Sequence, residues 1–286
     1  MSVALAHVTT TAMAMAYAKA ATMDARRGAR GRNHPDVVRS SMVRITVLCA
    51  FACAVVIWRS QSYDGKDVAR LGAMRIVGLV PAIGNGKAAA CGSALAFALT
   101  FGAFAEVVAR RKVMSRAKRV REIFVDVREF RDLAHAPLCE EFCFRACAAS
   151  LTMMAGSSAS ATIWVTSAAF GAAHGHHYFD MRRQGVSHAN ASRAVAMQCA
   201  YTTLFGAFAT AIFLYTESLI AVVVAHSWCN LIGPPQTFAL RGSPMTIAIT
   251  MSHVLGFVFV MYVLYDAYAE PYGFARRLVA PSHWLA

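Results

Sequence analysis

Several signatures that would fix a membrane enzyme's chemistry at sight are absent from this 286-residue chain. No HExxH offers a zinc site, no GxSG a serine nucleophile, and no GxGD a pair of aspartates. The eight cysteines (Cys49, Cys53, Cys91, Cys139, Cys143, Cys147, Cys199, Cys229) form no CxxC knuckle and no disulfide framework. All lie in or beside apolar stretches, where a free thiol packs as a small hydrophobe. No internal repeat or low-complexity linker divides the sequence. Acidic residues are scarce, 15 against 28 Lys and Arg, for a net charge of +13. The excess does not point to nucleic acid, because no RNA- or DNA-binding motif accompanies it and the basic residues concentrate between apolar stretches. It reads as the basic bias of cytosolic loops in a membrane protein.

What is abundant is apolar sequence: 57% of residues are hydrophobic and the mean hydropathy is +0.46, too high for an ordinary soluble domain. Stretches near 43–58, 88–108, 136–155, 158–177, 194–216, 218–233 and 246–266 approach the roughly 20 residues that cross a bilayer, 43–58 and 218–233 being short. An eighth, near 3–22, carries His7, Lys19 and four threonines and precedes Arg26, Arg27, Arg30 and Arg32. It reads as a weak first helix or as an Arg-rich transit segment, and the helix is preferred. The expected fold is all-α, a polytopic helical bundle of about eight transmembrane helices in a lipid bilayer. Residues 1–42 would hold the weak helix and a basic cytosolic segment, 43–268 a single membrane domain, and 269–286 a tail.

The densest basic run (Arg110, Arg111, Lys112, Arg116, Lys118, Arg119, Arg121) marks a cytosolic loop, one placed to touch anionic headgroups. Alternation then puts 24–42 and the loop around Arg182 and Arg183 on the same side, and 59–78 on the other. Residues 122–135 set Ile123, Phe124, Val127, Phe130 and Leu133 near helical spacing, predicting an amphipathic helix along the cytosolic surface. Pro137 suits the first turn of the helix that follows.

Three polar clusters interrupt the apolar spans: Glu140-Glu141 with Arg145, Phe170 with His174, and His226 with Asn230. In each, the key residues are four apart, one turn along one helix face. A charge inside an apolar helix costs about 2.5 to 3.5 kcal/mol on insertion scales, so its recurrence in consecutive spans points to a shared site. Glu140 lies early in its span while His174 and His226 lie late in theirs. At 1.5 Å per residue, all three come roughly one or two turns below the cytosolic interface.

Those residue types permit water attack on an amide. A carboxylate desolvated among helices, Glu140 or Glu141, can accept a proton from water, and His174 can share or orient that water. His226 and Asn230 offer two donors to an oxyanion. Arg145 reads as the intrahelical partner of Glu141, which leaves Glu140 free. Other readings stand beside this one. Cys139, Cys143 and Cys147 form a stripe beside the acidic pair, read as core packing in preference to a nucleophile. His174, His176 and His177 resemble a fragment of the histidine boxes of membrane di-iron enzymes, which would make a metal-dependent lipid-modifying enzyme, but those need several boxes and this chain has one. His7, His135, His253 and His283 receive no role. Gly171 and Gly175 form a small-xxx-small pair that would bring His174 against Glu140.

APLCEEFCFRA (136–146), FGAAHGHH (170–177) and HSWCNLIG (226–233) together resemble the type II CAAX prenyl endopeptidases of eukaryotes, within the CAAX protease and bacteriocin-processing superfamily, whose ordered pattern is EExxxR, FxxxH and HxxxN. The likeness is strongest over 133–237, where AMQCAYTTLFGAFATAIF (196–213) also fits, while NHPDVVRSSMVR (33–44) fits only loosely. The resemblance implies a glutamate-dependent endopeptidase without metal or cofactor, resident in the endoplasmic reticulum membrane with its site facing the cytosol. It would remove the last three residues from prenylated proteins ending in Cys-a-a-X. It also implies Glu140 and His174 as the water-activating pair, His226 and Asn230 as oxyanion stabilisers, and Glu141, Arg145 and Phe170 as support. Relatives in the wider superfamily imply an alternative, a non-proteolytic scaffold or self-protection protein.

Overall fold

A computed structural model describes residues 1–23, 30–61, 76–79, 85–234 and 242–269. Among these the chain is all-α, with no strand. Serine side chains start several of the helices by accepting an otherwise orphaned N–H three residues on. Ser2 does so for α1 (Val3–Thr22), Ser158 for α7 (Ala159–Ala173), Ser187 for α9 (His188–Thr216) and Ser218 for α10 (Leu219–Ile232). α2 (Pro35–Gln61) opens with proline and has Asp36 in its first turn. α3 (Asn85–Leu99) and α4 (Phe101–Ala109) meet at a 65° bend, and a polar helix α5 (Val113–Glu122) follows with no buried residue. A short α8 (His177–Arg183) and a long α11 (Pro244–Ala269) complete the set.

The helix that carries the acidic pair departs from expectation. Val127–Phe130, Arg131–His135, Ala136–Glu141, Phe142–Ala149 and Ser150–Met154 run on as one helix, α6, with right-handed helical dihedrals at every junction between them. It begins ten residues before Pro137, where Asp126 accepts the Arg128 N–H. The predicted surface helix over 122–135 is therefore split. Glu122 ends α5, Ile123, Phe124 and Val125 form a turn with the latter two exposed at 93% and 84%, and the residues after Asp126 begin α6. Pro137 sits inside α6 because the turn before it, Arg131–His135, is π-helical: the Ala136 N–H reaches back five residues to the Arg131 carbonyl, so the proline's missing N–H falls in an already widened turn.

By length and apolarity, three described helices suffice to cross a membrane (Pro35–Ser60, His188–Thr216 and Pro244–Tyr262), and the bent α3–α4 pair makes a fourth if it is one span. The other predicted spans are helical but shorter, as α7 and α10 are, or interrupted by charge, as α6 is. α1 packs on α2, α6 and α7, and α2 runs through the expected division at residue 42. Ala269 apart, the expected tail 269–286 lies outside the described residues, as does His283.

The largest core cluster joins α3, α6, α9 and α10 through Leu95, Leu151, Met153, Ile212, Phe213 and Val222. Gly171 brings α7 against α9, since a Cβ there would lie 2.8 Å from the Cys199 carbonyl oxygen, too close to tolerate. Gly175 has open space around it, so the predicted glycine pair does not act as a unit, and the helix it closes on is not the one bearing Glu140.

Candidate active site

α6, α7 and α10 bring six of the seven nominated side chains into one buried cluster. Glu141 is fully buried, and its Oε1 accepts from Arg145 Nη1 at 3.2 Å and from His226 Nδ1 at 2.7 Å. Arg145, also fully buried, donates Nη2 to the Gly206 carbonyl at 3.2 Å and lies 4.5 Å above the Phe170 ring. A buried charge of this kind needs compensation, and the carboxylate, carbonyl and ring supply part of it, Arg145 Nε being buried with no hydrogen-bond partner. Glu141 Oε2 is buried with no hydrogen-bond partner.

His226 stands between the two glutamates. Because a carboxylate can only accept, Nδ1 carries a hydrogen towards Glu141 and the opposite edge faces outward. On that edge Nε2 lies 3.8 Å from Glu140 Oε2. Glu140 is otherwise held loosely, its Oε1 3.5 Å from the Tyr17 hydroxyl of α1. One glutamate is therefore locked by strong bonds and its neighbour is not.

His174 closes α7, where the helix tightens into a 3-10 turn. Its Nδ1 donates to the Phe170 carbonyl at 2.9 Å, so in the neutral ring Nε2 is the acceptor nitrogen, the tautomer a general base requires. The Phe170 ring separates the two imidazoles, 4.9 Å from that of His174 and 6.3 Å from that of His226. Glu140 and His174 share no direct hydrogen bond, and the imidazole closest to Glu140 is that of His226.

Asn230, one turn below His226, turns elsewhere. Its Nδ2 donates to the Asp132 carbonyl at 2.9 Å. In the widened turn that carbonyl would accept from the residue five positions on, which is Pro137 and has no N–H. The asparagine amide fills the gap the proline leaves. Its backbone carbonyl in turn accepts from Arg119 Nη1 at 3.2 Å, and Arg119 Nε donates to Glu129 on α6 at 2.8 Å.

The remaining nominees fall outside this cluster. Ligand atoms of His176, His177 and Asp180 lie within 4.8 Å of one another, so the histidine-box reading is corrected in its membership: Asp180 replaces His174, whose Nδ1 is taken by its own helix. Arg32 Nη1 sits 2.8 Å from His177 Nδ1, a cationic occupant at the edge where a metal would bind. Cys49 from α2 and Cys143 bring their sulfurs within 3.5 Å, and both thiols are buried in apolar packing. His7 meets Ser157, and His135 meets Thr46 and Cys139. An open cleft of about 410 Å³ lies between Asn33–Arg39 and Val125–Arg128, away from Glu140, His174 and His226. Sequence reasoning missed Tyr17, for which an apolar helix with one tyrosine gives no signal. It also missed the coupling of Asn230 to Pro137, which depends on a π-helical turn.

The fold and cluster together define a class: an all-α membrane protein with a buried carboxylate, guanidinium and imidazole site. Residues 130–232 match the family described as "Type II CAAX prenyl endopeptidase Rce1-like". All three motifs fall within that match. The chain is 34% identical over 140 residues to CAAX prenyl protease 2 of Arabidopsis thaliana, covering 49% of this chain and 45% of the relative. It is 33% identical over 144 residues to that of Caenorhabditis elegans, covering 49% and 54%. Against CAAX prenyl protease 2 of Homo sapiens it is 28% identical over 238 residues, covering 79% and 70%. The chain thus spans about half the length of the first curated relatives it matches. No solved structure matches it.

Proposed function

We propose that this protein is a membrane endopeptidase that releases the aaX tripeptide from prenylated proteins ending in Cys-a-a-X, at the cytosolic face of the endoplasmic reticulum membrane. The observation that carries this reading is the division of labour in the acidic pair. Glu141 is bonded to Arg145 and His226, whereas Glu140 is held only at 3.5 Å or more. Glu140, helped by the Nε2 lone pair of His174, takes a proton from water as the oxygen attacks the carbonyl between the prenylated cysteine and the first aliphatic residue. The resulting oxyanion is met by His226 Nε2–H in the imidazolium form and by the second N–H of the Asn230 amide. Its collapse breaks the C–N bond, and the proton passes to the leaving amine. Arg145 and Phe170 hold this arrangement without touching the substrate.

Topology supports the substrate class. A prenylated C-terminus is amphipathic, its lipid preferring hydrocarbon while its peptide arrives from the cytosol. The basic run of α5 and the shallow position of Glu140 fit a scissile bond near that interface. The full count of about eight spans, with 43–268 as one membrane domain, belongs to the same reading. The test uses the full chain in proteoliposomes with matched farnesylated and unprenylated peptides. The farnesylated peptide releases aaX, the unprenylated one is poor, and Glu140→Ala and His174→Ala lower release by at least about 1,000-fold. Retained turnover in either variant contradicts the mechanism, and a scaffold releases nothing from either peptide.

A further inference from the structure

Asn230 is held at both ends, and each hold answers a proline that has no N–H to give. Its amide serves the carbonyl that Pro137 leaves open. Its own backbone carbonyl lies in the last turn of α10, where the residue four on, Pro234, again has no N–H. Arg119 fills that place from α5, with Nη1 at 3.2 Å, and so sets a cation at the negative end of the helix. The same guanidinium donates Nε to Glu129 Oε2 at 2.8 Å, in the first turn of α6. Arg119 and Glu129 are only 22% and 21% exposed, so this pair is screened less than one on the open surface. α5 has no buried residue, so polar bonds of this kind carry much of its attachment. The contacts close a loop. Glu129 and Asp132 lie within one turn of α6, the Asp132 carbonyl accepts the Asn230 amide, and Arg119 joins the Asn230 backbone to Glu129.

We infer that Arg119 is a positioning residue for the oxyanion contact: by tying the end of α10 to the start of α6, it sets the direction of the second N–H of Asn230. The inference rests on the proposed endopeptidase reading and deepens it. Asn230 Nδ2 carries two hydrogens in the plane of its amide. One goes to the Asp132 carbonyl, so the direction of the other follows from where the Asn230 backbone stands relative to Asp132. The loop through Arg119 and Glu129 holds that spacing. An oxyanion donor works only over a narrow range of distance, and a displacement of about 1 Å costs about 100-fold in rate. Arg119 acts through Asn230 and not on the substrate. Arginine suits the task better than lysine, since one planar group with several fixed N–H donors can serve a carbonyl and a carboxylate together.

The experiment is a double-mutant cycle on aaX release from a farnesylated peptide by the full chain in proteoliposomes, with Arg119→Ala, Asn230→Ala and the two together. Arg119→Ala lowers kcat by about 10- to 100-fold while KM stays within about twofold, and Arg119→Lys recovers part of the loss. In the Asn230→Ala background the same Arg119→Ala change costs less than about threefold, because the contact it positions is already gone. Equal losses in the two backgrounds overturn the proposal, since a general loosening of the fold acts whether or not Asn230 is present. A loss carried by KM overturns it as well. Should Arg119→Ala fail to fold, Glu129→Ala frees the guanidinium from α6 and runs the same cycle, with the same two outcomes decisive. Amide hydrogen exchange over residues 226–232, recorded without peptide, reads the clamp apart from turnover: it rises in Arg119→Ala, and unchanged exchange overturns the clamp. No release by wild type ends the endopeptidase reading and the positioning role with it, whereas release with equal losses in both backgrounds overturns the positioning role alone.

Discussion

Two places in the molecule repeat one pattern, a glutamate followed four residues later by an arginine, with a histidine from another helix close by. One is Glu141, Arg145 and His226. The other is Glu106 on α4, Arg110 just beyond it, and His253 of α11, which packs on Gly102 one turn before Glu106. The local bond is better in the second, with 2.8 Å between Arg110 Nε and Glu106 Oε1 against 3.2 Å in the first. The surroundings differ. Arg145 is wholly enclosed beneath Phe170, whereas Arg110 is 49% exposed at the head of the basic run. The first pair is joined to a second, loosely held glutamate by one imidazole. Spacing nominates both pairs, but enclosure and the shared histidine single out the site.

The two pairs differ most at their arginines. Arg145→Met leaves Glu141 charged and uncompensated and costs about 3 to 5 kcal/mol, read as a lower unfolding midpoint in detergent together with loss of aaX release. Arg110→Met costs below about 1 kcal/mol, because its ion pair is half in solvent. Equal losses would erase the distinction. Asn230→Ala leaves the Asp132 carbonyl without its donor, at about 1 to 3 kcal/mol, and removes the proposed oxyanion contact. Pro137→Ala in the same chain supplies an N–H to that carbonyl, so it restores stability but not turnover. Recovery of both would confine Asn230 to a structural role.

Smaller effects sharpen the picture. Tyr17→Phe removes one long contact to Glu140 and lowers kcat by about three- to tenfold with KM held, a change that loss of packing alone would not confine to kcat. Asp126 gives the least. Its bonds to the Arg128 side chain and backbone hold the carboxyl down at about 2, so its contribution to the start of α6 is present above the usual carboxylate range. It is lost only as pH falls towards that value. The Asp126→Asn variant should differ slightly from wild type at pH 7, and the difference should vanish near pH 2.

Much of this was legible from spacing. Glu140, Glu141, Arg145, Phe170, His174 and His226 are nominated by residues four apart in apolar helices. The start of α6 was legible but misread: Asp126 with Glu129 three residues later is a helix-start signature, and it competed with a proline that looked like a first turn. The π-helical turns were not legible, because no residue pattern distinguishes them from α-helix before tertiary contacts form. With them went the second task of Asn230. Tyr17 lies in α1, outside the matched region 130–232, and reaches Glu140 only through packing that sequence distance conceals.

Enclosure and the shared histidine, not the Glu-xxx-Arg spacing, set the Glu141 cluster apart from Glu106. The most direct test is aaX release from a farnesylated peptide by Glu140→Gln and Glu106→Gln in proteoliposomes, with unfolding midpoints recorded beside it. Release abolished in Glu140→Gln at an unchanged midpoint, with release in Glu106→Gln close to wild type, is the predicted result. Turnover that survives Glu140→Gln, or that falls equally in both, contradicts it.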